Sequence, residues 1–288
     1  MRRKVAIAIP SVSHAVTGQD FELVRRLLAE ESAIALDPGK EYLVEARLTP
    51  LVRELKLNSI GELLGRLRYD PGNGLCRRIV EAMVTTESSF FRDQHPFQAL
   101  RHTVLPELVR LRQDDRQLRI WCAASSLGQE PYSIAMLIRE HFPELASWKI
   151  TLLASDISRE VLKRARQARY NQIEVNRGLP AALLIKYFEQ QGTHWQLKPA
   201  IRDMVSFLEI NLAKPWPFLP QMDLIVLRNV MIYFDVPTKK TILERAGRLL
   251  RSGGYLLLGS AETTFNLDDS YRRVETIRGP FYQQANLA

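Results

Sequence analysis

From Leu118 onward, short apolar runs alternate with amphipathic helical stretches, and this rhythm constrains the fold more than any other feature of the chain. The runs are LRIWCAA, KITLLASDI, MVSFLEINL, MDLIVLRNVMIYF and GGYLLLGS. Between them lie EPYSIAMLIREHF, SREVLKRARQARY and TKKTILERAGRLL. Near-continuous apolar strands separated by helices predict a parallel, doubly wound α/β sheet. One interval breaks the rhythm. Residues 171–203 separate a helix from the third strand and are too many for a plain connection. They hold a predicted short helix, Pro180–Phe188, and then GTHWQLKPAIRD, which suits one small hairpin. We read 171–203 as an inserted β-subdomain.

The first hundred residues read as helices. FELVRRLLAEESAIAL, from Phe21, carries apolar residues at helical spacing. KEYLVEARLTPLVRELKL, from Lys40, does the same, and Pro50 inside it is expected to kink or break it. Ser59 with Glu62 three residues on is a capping-box pattern for the helix that follows. Asp70–Gly74 is a turn, and GLCRRIVEAMV leads into TTESSFFRD. A small helical domain over residues 15–80 is expected.

The chain has 288 residues, enough for two domains. Its 40 Lys+Arg against 32 Asp+Glu give +8, which suits an acidic partner without choosing one. Residues 1–92 hold 14 Lys+Arg against 12 Asp+Glu, so most of the excess lies further on. That argues against one strongly basic recognition domain, although Arg47, Arg53, Lys56, Arg66, Arg68, Arg77 and Arg78 recur there. Arg159, Lys163, Arg164, Arg166 and Arg169 read as a solvated helix face. Cys76 and Cys122 cannot build a disulfide framework, which fits a reducing, cytoplasmic setting. His14, His95, His102, His141 and His194 show no metal-ligand spacing, so no metal is expected. No apolar run is long enough to span a bilayer, and the apolar stretch ending at Pro10 is short for a signal peptide.

In an open α/β sheet the ligand lies beyond the C-terminal strand ends, near the switch point. The first strand is followed by CAASSLGQEPYS, where small residues admit a ligand and Gly128 permits a tight turn. It is not G-x-G-x-x-G, which weakens a dinucleotide reading. Asp156 ends the second strand, where an acid can accept from both ribose hydroxyls; capping the next helix is the alternative. Asn211 ends the third strand and suits an adenine edge. Arg228, Asn229 and Tyr233 end the fourth, and polar residues interrupting an apolar run are costly unless paired. A small-residue loop, an acid, an Asn and an Arg-Asn pair imply a nucleoside cofactor without a pyrophosphate cradle. This points to S-adenosylmethionine.

TTESSFFRD, WCAASSLGQEPYSIAM, LLASDIS, FLEINL, LIVLRNVMIYF and GGYLLLGSAE stand in the order of the motifs of the CheR-type chemotaxis receptor methyltransferases, which the chain resembles over about residues 20–284. The resemblance implies an N-terminal helical receptor-recognition domain (15–80), a linker contributing to the cofactor site (81–100) and a Rossmann-like S-adenosylmethionine-dependent methyltransferase domain (101–285) with the insert. It implies transfer of methyl from S-adenosylmethionine to the γ-carboxylate of glutamates on the cytoplasmic helical bundle of chemoreceptors. The products would be glutamate methyl esters and S-adenosylhomocysteine, and the process sensory adaptation. By motif, the cofactor contacts would be Thr86, Ser88, Arg92, Glu130, Asp156, Asn211, Leu212, Arg228 and Asn229. Arg92 and Tyr233 would orient the substrate as catalytic residues. A cytoplasmic monomer that binds no nucleic acid and does not insert into membrane is expected.

The sequence departs from the family pattern at four places. Thr86 stands where an Asn is usual, Ser88 for a Thr, Leu127 for a Thr and Gln129 for a Glu. A lost neutral hydrogen bond weakens binding by up to about tenfold, so weaker cofactor binding at worst, not its loss, is expected. A nucleic-acid methyltransferase would carry an Asn/Asp-Pro-Pro-aromatic motif where this chain has RNVMIYF. A non-catalytic sensor of the cofactor is the other rival, against which retained Arg92, Glu130, Asp156, Asn229 and Tyr233 argue. The compact GTHWQLKPAIRD segment predicts no strong binding of a receptor tail peptide.

Overall fold

A computed structural model describes residues 16–70, 72, 74–275 and 278–285. The short apolar stretch weighed above as a signal peptide lies outside them, as does His14. The chain divides into two compact units after Val84. Among the described residues no helix is long and apolar enough to cross a membrane.

The first unit holds α1 (Gly18–Ser32), α2 (Glu41–Glu54), α3 (Ile60–Tyr69) and α4 (Leu75–Met83). Val24, Leu28, Val44, Leu48, Val52, Ile60, Leu63, Leu64 and Ile79 form its buried side. Pro50 does not break α2, which runs on from Glu41 to Glu54. Val44, Leu48, Leu51 and Val52 are buried on both sides of the proline, and that packing outweighs the lost backbone bond. Ser59 caps α3 as expected, accepting from the Glu62 N–H, but Glu62 reaches back to the Asn58 N–H rather than to that of Ser59. Several basic residues here have partners within the unit: Arg66 with Glu62, Arg68 with Asp20 and Arg78 with Glu54.

The second unit opens with α5 (His95–Ala99), a π turn (Leu100–Val104) and α6 (Leu105–Leu111), which follow one another without a break. The wide turn precedes Pro106, whose ring and missing N–H disfavour regular helix. There follow β1 (Gln117–Ala123), α7 (Gln129–His141), β2 (Lys149–Asp156) and α8 (Arg159–Gln167). The insert holds β3 (Arg169–Asn171), α9 (Gln172–Asn176), α10 (Ala181–Tyr187), β4 (Phe188–Gln191), β5 (His194–Leu197) and α11 (Pro199–Arg202). The chain closes with β6 (Val205–Glu209), β7 (Met222–Leu227), α12 (Val236–Leu249), β8 (Leu250–Leu258), β9 (Tyr271–Arg273) and β10 (Phe281–Gln284).

Among the described residues the large sheet has the order β6-β2-β1-β7-β8-β10-β9. The first five strands are parallel, as the alternating pattern predicts. The last two were not foreseen. β10 pairs antiparallel with both β8 and β9, so the sheet is mixed at that edge. The run MDLIVLRNVMIYF is a strand only as far as Leu227, and Met231–Tyr233 form a 3₁₀ turn. The insert is a three-stranded antiparallel sheet of order β3-β5-β4. A hairpin is present but shifted from the expected place: β4 precedes GTHWQLKPAIRD, which supplies only β5 and then α11, and Arg169–Asn171 adds a strand that begins before residue 171.

Strand order reverses between β1 and β7, whose neighbouring residues include Cys122 and Val226. The carboxyl ends of β1, β2, β6 and β7 therefore meet there, and the loops after them carry the polar residues singled out above. The core beneath is closely packed. Trp121, Ile120, Leu224 and Leu257 are almost wholly buried, as is Cys122 in β1. Burial pushes the Cys122 thiol well above its ordinary range.

Candidate active site

The loop joining β1 to α7 bends through three left-handed residues: Ala124 at φ 52°, Ser126 at φ 50° and Gly128 at φ 86°. Only Gly128 adopts this conformation without cost. A Cβ there would also lie 3.0 Å from the Tyr132 ring and 3.3 Å from Ala165 Cβ. Neighbouring segments hold the loop. The Ser125 N–H donates to the Ser155 carbonyl (2.8 Å) and the Ser126 N–H to the Asp156 carboxylate (2.9 Å). The Ser126 hydroxyl donates to the carbonyl of Thr86 (2.8 Å), tying the loop to the TTESSFFRD block.

Asp156, 5% exposed, also accepts from the Ser158 N–H at 3.1 Å. It does not cap the next helix; Ser158 does, accepting from Val161. An ionised carboxylate has about four lone-pair sites, so bracing the loop is compatible with accepting from ribose hydroxyls. Asn211 lies just beyond β6, where its side-chain oxygen accepts from the Ala213 N–H (3.0 Å). Leu212 is buried and its carbonyl accepts from the Trp216 indole (3.1 Å), whose ring meets Trp121 edge to face.

Arg228 leaves β7 buried, with its side chain 1% exposed. It donates to Glu130 at 2.5 Å, to Asp93 at 2.9 Å and to the Arg92 carbonyl at 3.1 Å, and its guanidinium lies 6.0 Å from the centre of the Phe97 ring. One cation thus joins β7, the start of α7 and the linker block. Glu130 and Arg228, each expected to contact a cofactor separately, are bonded to each other. Breaking a buried pair by removing one member typically costs about 3–5 kcal/mol.

The linker block is fixed by its two phenylalanines. Phe90 is fully buried, edge to face with Tyr170 and Phe188 of the insert, at 5.0 and 5.7 Å. The Phe91 N–H donates to Ser133 of α7 (3.0 Å) and its ring meets Phe97. Phe91 and Asp93 both have positive φ, 48° and 63°, on either side of Arg92. Gly178, at φ 85°, passes so close that a Cβ would fall 2.0 Å from the Phe90 carbonyl oxygen. Arg92 itself is half-buried, as is Ser88, while Thr86 is exposed. Tyr233, half-buried, ends the 3₁₀ turn after β7.

Glu262 was missed by the sequence reading. It lies in the turn after β8, 7% exposed, and accepts from four backbone N–H groups, three of them in the β7 exit loop. The GSAE stretch offers a faint signal, an acid following an apolar strand, but its partners are backbone atoms that no motif displays.

Among the described residues three buried side-chain atoms have no hydrogen-bond partner: Ser125 Oγ, Gln129 Oε1 and Arg228 Nε. Unpaired buried polar atoms are expensive, and here they belong to the loops after β1 and β7 and to the first residue of α7. A polar ligand bound at the strand ends accounts for that placement. The hydroxyls and amides, which donate and accept, and the carboxylates, which accept, fit a nucleoside with an amino-acid tail. Among the described residues no group of His, Cys, Asp and Glu is arranged to hold a metal.

Two family descriptions match the chain in succession: the CheR methyltransferase all-alpha domain over residues 19–84 and the CheR methyltransferase SAM binding domain over residues 86–279. The chain is 40% identical over 268 residues to chemotaxis protein methyltransferase 1 of Pseudomonas aeruginosa, covering 92% of this chain and 97% of that protein. It is 35% identical over 272 residues to chemotaxis protein methyltransferase 1 of Vibrio cholerae (93% and 98%) and 33% identical over 253 residues to the chemotaxis protein methyltransferase of Borreliella burgdorferi (86% and 89%). Both domains match in order and the relatives align along almost their whole length; the chain belongs to the CheR methyltransferase family.

Proposed function

We propose that this protein transfers the methyl group of S-adenosylmethionine to the γ-carboxylate of glutamates on the cytoplasmic helical bundle of chemoreceptors, in sensory adaptation. The observation that carries the reading is the linkage of three site segments: Asp156 holds the Ser126 N–H, and the Ser126 hydroxyl holds Thr86. The acid suited to the ribose, the small-residue loop and the linker block with Arg92 thereby act as one support. Asp156 would hold the ribose, with Asn211 and Leu212 beside the adenine. Thr86, Ser88, Glu130, Arg228 and Asn229 would line the rest. Residues 15–80 would recognise the receptor, while 81–100 would complete the cofactor site.

The cofactor supplies a methyl group already activated on a sulfonium. A glutamate side chain is ionised at neutral pH, its ordinary pKa being about 4.3, so no residue has to act as a base. What the chain must supply is alignment of the attacking oxygen with the methyl carbon and the departing sulfur. Arg92 is suited to hold a carboxylate there and Tyr233 to orient it. Opposite charges cancel as the bond forms, so a site poor in water favours the reaction, and Arg92 must not overstabilise the starting carboxylate. Each transfer removes one negative charge from the substrate helix, a change able to bias a two-state bundle.

Tandem mass spectrometry of a chemoreceptor cytoplasmic fragment, after incubation with enzyme and cofactor, tests this reading. Methyl esters on glutamate-bearing peptides are expected. Methyl groups on lysine, arginine or nucleic acid instead would overturn it.

A further inference from the structure

The Glu262 carboxylate is enclosed by backbone donors. It accepts the N–H groups of Gly259 at 2.6 Å, Asn229 at 2.8 Å, Val230 at 2.9 Å and Met231 at 2.7 Å. Oε2 takes the first two and Oε1 the others. Four donors match the roughly four lone-pair sites of an ionised carboxylate. Among the described residues no Lys, Arg or His forms a salt bridge with it. The attraction comes from three consecutive N–H groups converging on one anion, a backbone nest.

Those three donors sit between Arg228 and Tyr233, in the loop that leaves β7. Asn229 is held there at φ 57°, a conformation that asparagine tolerates better than most residues. Gly259 makes the approach possible. A Cβ at that position would fall 2.6 Å from Glu262 Oε2, 2.9 Å from Asn229 N and 3.0 Å from Asn229 Nδ2. The end of β8 thus provides both the gap and the anion that shape the end of β7.

We propose that Glu262 is a positioning residue for methyl transfer: its carboxylate locks the backbone of residues 229–231 and so fixes where Asn229 and Tyr233 are presented. The role of those two residues rests on the proposed function. Glu262 touches neither cofactor nor substrate in this scheme and acts through the loop.

Glu262→Ala removes the anion and leaves room for acetate. S-Adenosylhomocysteine affinity by calorimetry, kcat and KM per binding-competent site, and the thermal midpoint are measured. Each is repeated with matched sodium acetate, acetamide and sodium chloride. Affinity and kcat are each expected to fall by about tenfold or more, as for loss of charged hydrogen bonds, and acetate alone should restore most of both. Glu262→Gln, which keeps one acceptor and turns an amino group onto the N–H donors, should be intermediate; it replaces the alanine variant if that does not fold. Affinity and kcat within about twofold of wild type, with only the thermal midpoint lowered, would make Glu262 a fold determinant and overturn the proposal. So would equal restoration by all three additives. If the wild-type chain methylates no receptor fragment, the proposed function fails, and the clamp is decided on S-adenosylhomocysteine affinity alone.

Discussion

In the proposed function Asp156 serves structure and site together. Its carboxylate braces the Ser126 and Ser158 amides, and in the proposed reading it would also hold the ribose. Asp156→Ala is expected to weaken S-adenosylhomocysteine binding by about tenfold to a hundredfold, since hydrogen bonds to a charged group are worth roughly 1.5–3 kcal/mol. Isothermal calorimetry reads this directly, and unchanged affinity would remove Asp156 from the cofactor site. Asp156, Arg228 and Asn229 were visible in the sequence because each interrupts an apolar run, where an unpaired polar group would be costly. The pairing of Arg228 with Glu130 and Asp93 was not visible, because those partners lie about a hundred residues or more away in the chain. Gln129 departs from the family pattern and leaves a buried oxygen without a partner, which makes it the departure with the clearest structural consequence.

At the scale of elements, the insert is joined to the core through Glu140 of α7. Lys186 donates to its carboxylate at 2.6 Å and the Tyr187 hydroxyl donates as well, both from α10. The Lys186 hydrogen bond, aided by that of Tyr187, holds the Glu140 carboxyl below the usual carboxylate range. A carboxyl with a lowered pKa contributes stability that is present above the ordinary unfolded value. That contribution is lost as pH falls through the folded-state value. Glu140→Gln should therefore lower the thermal midpoint at pH 7, and the gap from wild type should close as pH drops below the carboxylate range. A gap independent of pH would show that packing alone is at work. Periodicity made the five parallel strands legible, since each is built around a short apolar run. β9 and β10 escaped because YRR and FYQQ are short and rich in polar residues, and they become strands only by pairing, β10 along β8 and β9 along β10. At Pro50 the helix is continuous for the opposite reason: burial of the helix face on both sides of the proline outweighs the local tendency to break.

For the whole molecule, the rhythm of the second half and the helical periodicity of the first were enough to place two units of different class. The family resemblance added what periodicity could not, the identity of the chemistry. The net charge of +8 remained uninformative about partner class. Many cations that produce it are paired locally, including Arg159 with Glu209 and Arg164 with Glu174 along α8. The Arg159 and Arg164 side chains are more than half exposed, as a solvated helix face predicts, and such exposed pairs contribute little. The central claim, esterification of receptor glutamates at the strand ends of this sheet, is tested most directly by transfer of labelled methyl from S-adenosylmethionine to a purified chemoreceptor cytoplasmic fragment, with Arg92→Ala beside the wild type. Base-labile label on the receptor with wild type, reduced by about a hundredfold or more in the variant, is the expected result. Cofactor binding without any transfer, or label that resists base, would contradict it.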